Sequence, residues 1–380
     1  MIYLDNAATT MQDAEVTEAM VKSFEEDLGN PSSLHELGRK TQNKVNKARK
    51  IIAWKLGVDA EGLVFTSGGT ESNNTVIRGA ASALGRRKRR VVTTKIEHPA
   101  VLEPCGHLES QGFEVVFLDV DRHGFPDMEM YRNSLTEDVA LVSAMAVNNE
   151  LGTILPIKKM CELAHEAGAL FHTDAVQGFG KMDLRGCDAD FVSLSAHKLH
   201  GPKGVGAFYA NADARFAPLM LGGGQEKNRR SGTENVSGIV GFGKAVELSA
   251  SEKESVYVRR LKERLLAGLT ENIDDIKVNG PLTKGEVSDY ILNVSFLGTR
   301  GEVILHSLEA EGIYVSTGSA CSSNKNGKSH VLKAIGCTER EIEGAIRFGL
   351  SAYNTAEEID TTVECVTAAV KRFRRLGSFR

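Results

Sequence analysis

Short runs of β-branched and other apolar residues alternate along much of the chain with stretches in which apolar positions recur at helical spacing. The segment from Pro156 to Ala167 is typical of an amphipathic helix between two such runs. Strand and helix in this alternation predict βαβ crossovers, and therefore a mostly parallel sheet covered by helices on both faces. The predicted strands are Val91 to Ile96, Glu114 to Leu118, Val139 to Val147, Ala169 to Thr173 and Phe191 to Ser195.

The pattern changes after about residue 240, where one long helix is predicted from Val240 to Leu266. Two further strands are predicted beyond it, at Tyr290 to Phe296 and Ile313 to Ser316. We therefore expect an α/β protein of two domains. The large domain is predicted to span residues 14–253, and a smaller α+β domain is predicted to combine residues 1–13 and 254–380.

Composition narrows the class of protein. The chain has 380 residues, of which 41% are hydrophobic and 25% charged, so it is long enough for two packed domains and unlike a disordered chain. Its net charge of −4 provides no general attraction for nucleic acid or anionic membranes. No apolar run approaches the length of a membrane span, and the first residues do not resemble a signal peptide. We expect a soluble cytoplasmic protein with no direct nucleic-acid or membrane partner.

The six cysteines include no C-x-x-C pair, and in a chain of this length they predict reduced thiols with no disulfide framework and no metal site. Polar residues that follow the predicted strands are more informative. Lys198 lies just past one of these strands, beside His197. A lysine in such surroundings is typical of a Schiff-base amine, although a loop lysine paired with a carboxylate would have the same sequence.

Asp174 follows another predicted strand, three residues before Gln177. A carboxylate at this place can hold the protonated pyridine nitrogen of pyridoxal 5′-phosphate (PLP), and the amide of Gln177 can reach the ring oxygen. The alternative is that Asp174 only caps the next helix.

A third segment, Phe65 to Asn74, predicts a strand, a glycine turn at Gly68-Gly69 and the polar start of a helix. The free N–H groups of a helix start bind phosphate, and Thr70 adds a hydroxyl. An ordinary capped helix is the alternative, because a Gly-Gly-Thr turn alone is a weak signal. With His98 as a residue that stacks on the ring, the three segments would complete one cofactor site.

In combination, these segments resemble the NifS/IscS-type cysteine desulfurases of the class-V aminotransferase superfamily, which have fold type I. The resemblance extends almost from end to end. It rests on the segments at 3–10, 29–33, 68–73, 97–100, 148–153, 174–177, 195–198, 230–233 and 318–321.

The resemblance implies a role for each matching residue. Lys198 would bind PLP covalently and then move protons, His98 would stack on the ring and act as an acid or base, and Asp174 and Gln177 would contact the ring. Arg347 and Asn149 would bind the carboxylate of L-cysteine. Gly69, Thr70, Ser195 and His197 would hold the phosphate, and Thr233 would reach the phosphate of the other subunit of a homodimer.

Cys321 would determine the reaction. The small, polar and basic residues around it predict a loop, and Lys325 and Lys328 favour its thiolate. By resemblance, Cys321 would take the sulfur of L-cysteine as a persulfide, release L-alanine, and pass the sulfur to an acceptor protein. The acceptor stays open between an iron–sulfur scaffold and a tRNA-thiolation enzyme. An inert thiol in a turn is the alternative for Cys321.

The sequence departs from the family at Arg347-Phe348-Gly349-Leu350-Ser351, where the usual Arg-x-Ser-x-Gly has Ser and Gly exchanged. Arg347 itself is retained, but the exchange puts its supporting contacts in doubt. A selenocysteine lyase and a class-V aminotransferase stay open as alternative functions, as does a protein without enzymatic activity that acts as a sulfur-transfer scaffold or a regulator.

Overall fold

The computed structural model describes residues 1–85, 87–249, 252–317 and 328–377. The strands are β1 (Ile2–Tyr3), β2 (Leu63–Thr66), β3 (Arg90–Thr94), β4 (Glu114–Leu118), β5 (Val139–Ser143), β6 (Leu170–Asp174), β7 (Phe191–Ser195), β8 (Gly206–Ala210), β9 (Ile276–Asn279), β10 (Ile291–Phe296), β11 (Ile313–Tyr314) and β12 (Ala345–Gly349). The α-helices are α1 (Ala14–Glu26), α2 (Glu36–Leu56), α3 (Gly69–Leu84), α4 (Pro99–Ser110), α5 (Met128–Ser134), α6 (Ile157–Glu166), α7 (Val236–Leu248), α8 (Glu252–Asn272), α9 (Gly301–Ala310), α10 (His330–Ala334), α11 (Glu339–Glu343) and α12 (Ala356–Arg375).

A seven-stranded sheet forms the centre of the larger unit, in the order β2-β8-β7-β6-β5-β3-β4. The strands from β7 to β4 in this order are parallel, and only β8 runs antiparallel to its two neighbours. Every residue of β2, β5 and β7 is buried, which agrees with a sheet covered on both faces. The predicted α/β class, the mostly parallel sheet and its five strands are confirmed, with strand ends that differ by up to four residues.

A smaller antiparallel sheet has the order β12-β10-β9, and the short strands β1 and β11 pair beside it. Its core combines Leu4 near the start of the chain with residues of α8, β10, β12 and α12. Val331, Leu332 and Ile342 pack instead with the core of the large sheet. The predicted domain boundary near residue 253 stays a prediction.

The single helix expected from Val240 to Leu266 is wrong, because the chain forms α7 and α8 as separate helices. Helix α7 ends at Leu248, and the backbone of the next residue, Ser249, is extended with φ −62° and ψ 150°. The Ser249 hydroxyl donates a hydrogen bond to the backbone carbonyl of Val246. This local side-chain hydrogen bond satisfies a carbonyl at the end of the helix. The apolar periodicity continues across the break, which is why the sequence pattern hides it.

None of the helices in the described part of the chain combines the length and the hydrophobicity needed to cross a bilayer.

Candidate active site

A cavity of about 210 Å³ lies at the carboxyl ends of the parallel strands. Strand β7 leads into a 3₁₀ turn at Ala196–Lys198, and β6 ends at Asp174. Ligands of open α/β sheets bind at this edge. Ten of the predicted site residues line the cavity, namely Gly69, Thr70, His98, Asn149, Asp174, Gln177, Ser195, His197, Lys198 and Arg347.

Lys198 extends toward the start of the chain. Its Nζ donates hydrogen bonds to the carbonyl oxygens of Ala7 and Ala8, at 2.7 Å and 2.6 Å. The amide of Gln177 donates to the same Ala7 carbonyl at 2.8 Å. Ala7 and Ala8 therefore form part of the cavity wall and contact its lysine directly; we call residues 5–8 the N-terminal strap.

Asp174 is fixed by two donors. Its Oδ2 accepts a hydrogen bond of 2.6 Å from the amide of Asn73, and its Oδ1 accepts one of 3.0 Å from the backbone N–H of Val176. Asp174 is 6% exposed and Asn73 is 1% exposed. A carboxylate held in this way keeps a fixed orientation toward a ring nitrogen in the cavity.

Helix α3 begins at the glycine turn without a side-chain cap. The missing cap leaves N–H groups of its first turn available for an anion. Gly69 needs to be glycine, because a Cβ at this position would lie 2.7 Å from Cγ2 of Val176. The turn, Thr70 and Ser195 together make a suitable phosphate site.

Two histidines contribute neutral rings. Burial lowers the pKa of His98, and its Nδ1 accepts a hydrogen bond from the backbone N–H of Ala100. Burial and the nearby Lys198 lower the pKa of His197 to about 4. Both rings are therefore neutral near pH 7, so each can accept a proton or a hydrogen bond.

Glu97, next to His98, is fully buried. Its Oε1 accepts hydrogen bonds from the hydroxyl of Thr94 and the backbone N–H of Met145. Burial raises its pKa to about 8. Glu97 is therefore a protonated carboxylic acid at neutral pH, and it adds no negative charge behind Asp174.

Arg347 reaches the cavity from β12 with a side chain that is 3% exposed. Its Nη2 lies 3.0 Å from Oδ1 of Asp5, and its Nη1 donates to the backbone carbonyl of Asn149 at 3.0 Å. Within the described ranges, its buried Nε has no hydrogen-bond partner, and neither has the buried Oδ1 of Asn149. An unused donor beside an unused acceptor suits the carboxylate and amine of an amino acid.

The exchanged Gly349 and Ser351 have defined contacts. Gly349 lies against the strap, where a Cβ would come 2.5 Å from the backbone nitrogen of Ala7. Its carbonyl accepts a hydrogen bond of 2.9 Å from the side chain of Asn6. The buried Ser351 pairs through its backbone N–H with Asn354. The exchange therefore leaves Arg347 supported, with the strap close against β12.

Thr233, another predicted site residue, is exposed and does not line the cavity. Cys321 and Lys325 lie outside the described residues.

The donor set fits PLP. The cavity contains an amine that can react with the aldehyde of PLP and a carboxylate that can pair with the ring nitrogen of PLP. It also contains a helix start with nearby hydroxyls that can bind the phosphate of PLP. The unpartnered atoms of Arg347 and Asn149 leave polar groups for an amino acid beside it.

Comparison with known proteins agrees with this site. The class-V aminotransferase family matches residues 2–362. A cysteine desulfurase IscS from Dictyoglomus turgidum is 43% identical over 383 aligned positions, which cover 100% of this chain and 97% of that protein.

Solved structures agree as well. A NifS-like protein superposes with a TM-score of 0.91 at 38% identity, covering 98% of this chain and 99% of that one. A structure described as SspA in complex with cysteine has a TM-score of 0.82 at 35% identity, covering 93% and 100%. The chain therefore belongs to the class-V aminotransferase family, and within that family to the NifS/IscS-type cysteine desulfurases.

Sequence reasoning missed two residues of the site, Asn73 and Asp5. Both lie inside segments that carry the family resemblance, so the sequence indicates that these segments belong to the site. It does not indicate the role of either residue, because each role depends on a partner more than 100 positions away along the chain.

Proposed function

We propose that this chain is a PLP-dependent cysteine desulfurase, which removes sulfur from L-cysteine and releases L-alanine. The convergence of Lys198, Asp174 and Arg347 on one cavity is the observation that carries the proposal. The solved relative in complex with cysteine supports the choice of substrate. PLP, when bound, withdraws electrons from the amino acid, so that its Cα proton becomes acidic and its side-chain bond is weakened.

The residues of the cavity divide the work of binding. The start of α3, with Gly69 and Thr70, holds the phosphate together with Ser195 and His197. Asp174 pairs with the ring nitrogen, Gln177 contacts the ring oxygen, and His98 lies against the ring. Arg347 and Asn149 hold the α-carboxylate of the substrate, the arginine by a two-pronged contact that also fixes its orientation.

Proton transfer at the substrate falls to Lys198 and His98. The amine of Lys198, once released from its partners, removes the proton at Cα. The neutral ring of His98 can accept or return a proton at the same place, because burial lowers its pKa. Asp174, held by Asn73 and Val176, would accept a hydrogen bond from the ring N–H and so favour the protonated ring nitrogen.

The sulfur atom of the substrate is transferred to Cys321. The Cys321 thiolate forms a bond to the substrate sulfur while the Cβ–S bond breaks, and the bonding electrons stay with the three-carbon fragment. That fragment takes up protons and leaves as L-alanine, so L-cysteine and the thiol become L-alanine and a persulfide. The persulfide then passes its outer sulfur to an acceptor protein, an iron–sulfur scaffold or a tRNA-thiolation enzyme.

The proposal includes a homodimer, in which the exposed Thr233 contacts the phosphate in the partner subunit's site. The exposure of Thr233 at the surface of this chain favours this role. The cytoplasmic location stays a prediction of the sequence.

The test is product analysis of the PLP-loaded protein with L-cysteine and a reducing thiol. We expect L-alanine and sulfide in equal amounts. A keto acid in place of L-alanine would identify an aminotransferase, and turnover of L-selenocysteine alone would identify a selenocysteine lyase. Absence of turnover with all substrates would indicate a non-enzymatic protein.

A further inference from the structure

The N-terminal strap contains a carboxylate that contacts the substrate-binding arginine. Asp5 lies 3.0 Å from Nη2 of Arg347, and the two residues are separated by 342 positions along the chain. The Asp5 side chain is 21% exposed, whereas that of Arg347 is 3% exposed. A buried guanidinium needs a partner of opposite charge, and Asp5 is the acidic side chain paired with it within the described ranges.

Several contacts fix the strap in this position. The backbone N–H of Asn6 donates to the carbonyl of Gly349, and the Asn6 side chain donates to the same oxygen at 2.9 Å. Leu4 accepts a hydrogen bond from the N–H of Gly349, at 2.6 Å. Because Gly349 and Arg347 belong to the same strand, these contacts place Asp5 next to the arginine.

Several N–H donors of Arg347 stay available for a ligand. A guanidinium has five N–H groups, and the contacts with Asp5 and Asn149 each use one of them. Among the described residues, Nε has no partner although it is buried. Asp5 and the carbonyl of Asn149 thus fix the two ends of the fork and leave Nε–H and the second N–H of each Nη for an incoming group.

We propose that Asp5 is a positioning residue, which fixes Arg347 so that its unused N–H donors meet the α-carboxylate of the substrate. This inference rests on the proposed function, and it names the residue that prepares the carboxylate site of that function. Without Asp5, the guanidinium loses a charged partner and can turn toward other acceptors. The substrate would then have to reorient the arginine as it binds, and its affinity would fall.

The position of Asp5 also predicts which kinetic constant it affects. The carboxylate contact is present before, during and after the chemical step, so its loss raises KM and leaves kcat nearly unchanged. A ligand that lacks a carboxylate does not use Arg347 and is not affected. This contrast separates positioning of the arginine from general damage to the cavity.

The experiment uses the PLP-loaded full chain and the variants Asp5→Asn and Asp5→Ala. Asp13→Asn is the matched control, because Asp13 is also a carboxylate near the start of the chain, but its side-chain partner is Tyr353, whereas Asp5 pairs with Arg347. Binding of L-alanine and of ethylamine, which lacks the carboxylate, is measured by absorbance titration. Steady-state kinetics with L-cysteine are measured on the same samples.

For Asp5→Ala we expect about a tenfold rise in both the Kd for L-alanine and the KM for L-cysteine, with kcat changed less than about twofold. Asp5→Asn keeps an oxygen acceptor and should show a smaller rise. Binding of ethylamine should stay unchanged in both variants, and Asp13→Asn should match the parent protein.

Two results would overturn the inference. One is unchanged binding of L-alanine in both Asp5 variants, and the other is equal weakening of L-alanine and ethylamine. If Asp5→Ala does not fold, the binding of L-alanine and ethylamine to the isosteric Asp5→Asn variant tests the inference alone. If the parent protein binds L-alanine but releases no sulfur from L-cysteine, the proposed function fails, and the comparison of L-alanine with ethylamine still decides the role of Asp5.

Discussion

Asn73 donates a hydrogen bond of 2.6 Å to Oδ2 of Asp174, and both side chains are buried. The amide comes from the first turns of α3, the helix whose start is suited to phosphate. One helix therefore contributes to both ends of the PLP site. It supplies donors for the phosphate, and it orients the carboxylate that pairs with the ring nitrogen.

Replacement of Asn73 by alanine is expected to weaken the binding of PLP. A hydrogen bond to a charged group contributes roughly 1.5–3 kcal/mol, so the Kd should rise at least about tenfold. Absorbance titration of the apoprotein with PLP measures this Kd. The neighbouring Asn74→Ala is the control, because Asn74 donates its side-chain hydrogen bond to the backbone carbonyl of Thr70 and does not contact Asp174. Equal affinity in Asn73→Ala and Asn74→Ala would contradict the role.

Lys198→Ala should remove the visible absorption that PLP has when it is bonded to an enzyme lysine. The variant should also release no alanine from L-cysteine, because the amine at the cavity is missing. Lys203→Ala serves as the control, since Lys203 is exposed five positions further along the chain. A spectrum of Lys198→Ala identical to that of the parent protein would refute the assignment of the lysine.

Cys321→Ser should retain the absorption spectrum of bound PLP but lose sulfur delivery. Serine lacks the nucleophilic sulfur, so no persulfide forms, and alanine release should fall by at least about a hundredfold. Mass spectrometry of the protein after exposure to L-cysteine detects the added sulfur. Cys365→Ser is the control thiol on α12. Persulfide formation at the parent rate in Cys321→Ser would show that another residue accepts the sulfur.

Glu97→Gln should change how stability depends on pH. Burial raises the pKa of Glu97 from an ordinary 4.5 to about 8, so between these values the folded protein keeps a proton that the unfolded chain releases. Stability from this group therefore falls as pH rises through this range. Glutamine cannot ionise, so the variant should gain stability relative to the parent protein between pH 5 and pH 8, by a few kcal/mol at most, since one pKa unit corresponds to about 1.4 kcal/mol.

Thermal unfolding at pH 5 and pH 8 measures this difference for Glu97→Gln. The exposed Glu109→Gln on α4 is the control, and its difference from the parent protein should be the same at both pH values. A constant difference for Glu97→Gln as well would show that Glu97 is ionised in the folded protein at neutral pH.

Gly349→Ala should destabilise the protein. The added Cβ would lie 2.5 Å from the backbone nitrogen of Ala7, and relief of such a contact typically costs about 1–3 kcal/mol. Gly106→Ala in α4 is the control, because, apart from the adjacent helix backbone, no atom of the described residues lies within 4 Å of its added Cβ. Denaturant unfolding of both variants measures the cost. Equal stability of the two variants would mean that the strap moves away from β12 without loss.

Much of the fold was readable from the sequence, for reasons that the structure shows. Strands such as β5 and β7 are buried along their whole length, so they appear as continuous apolar runs. The break at Ser249 was not readable, because the apolar period continues from α7 into α8. Strand β8, which alone reverses direction in the large sheet, had no distinct signal either.

The site was readable where a short motif carries the chemistry, as at Asp174 and Lys198. It was not readable where two distant segments meet. The pairing of Asp5 with Arg347 spans 342 positions, and that of Asn73 with Asp174 spans 101. Such contacts follow from the packing of whole sheets and helices, which no local pattern specifies.

The strap also sets the order in which the protein can mature. Its residues form hydrogen bonds with Lys198 and with Gly349, and Lys198 leaves the ribosome well before Gly349 does. A nascent chain that has not yet extruded β12 from the ribosome has its lysine but neither the arginine nor the strand that holds the strap. The strap can therefore take its place against β12 only after that strand has been synthesised, and only then does Asp5 meet its guanidinium partner.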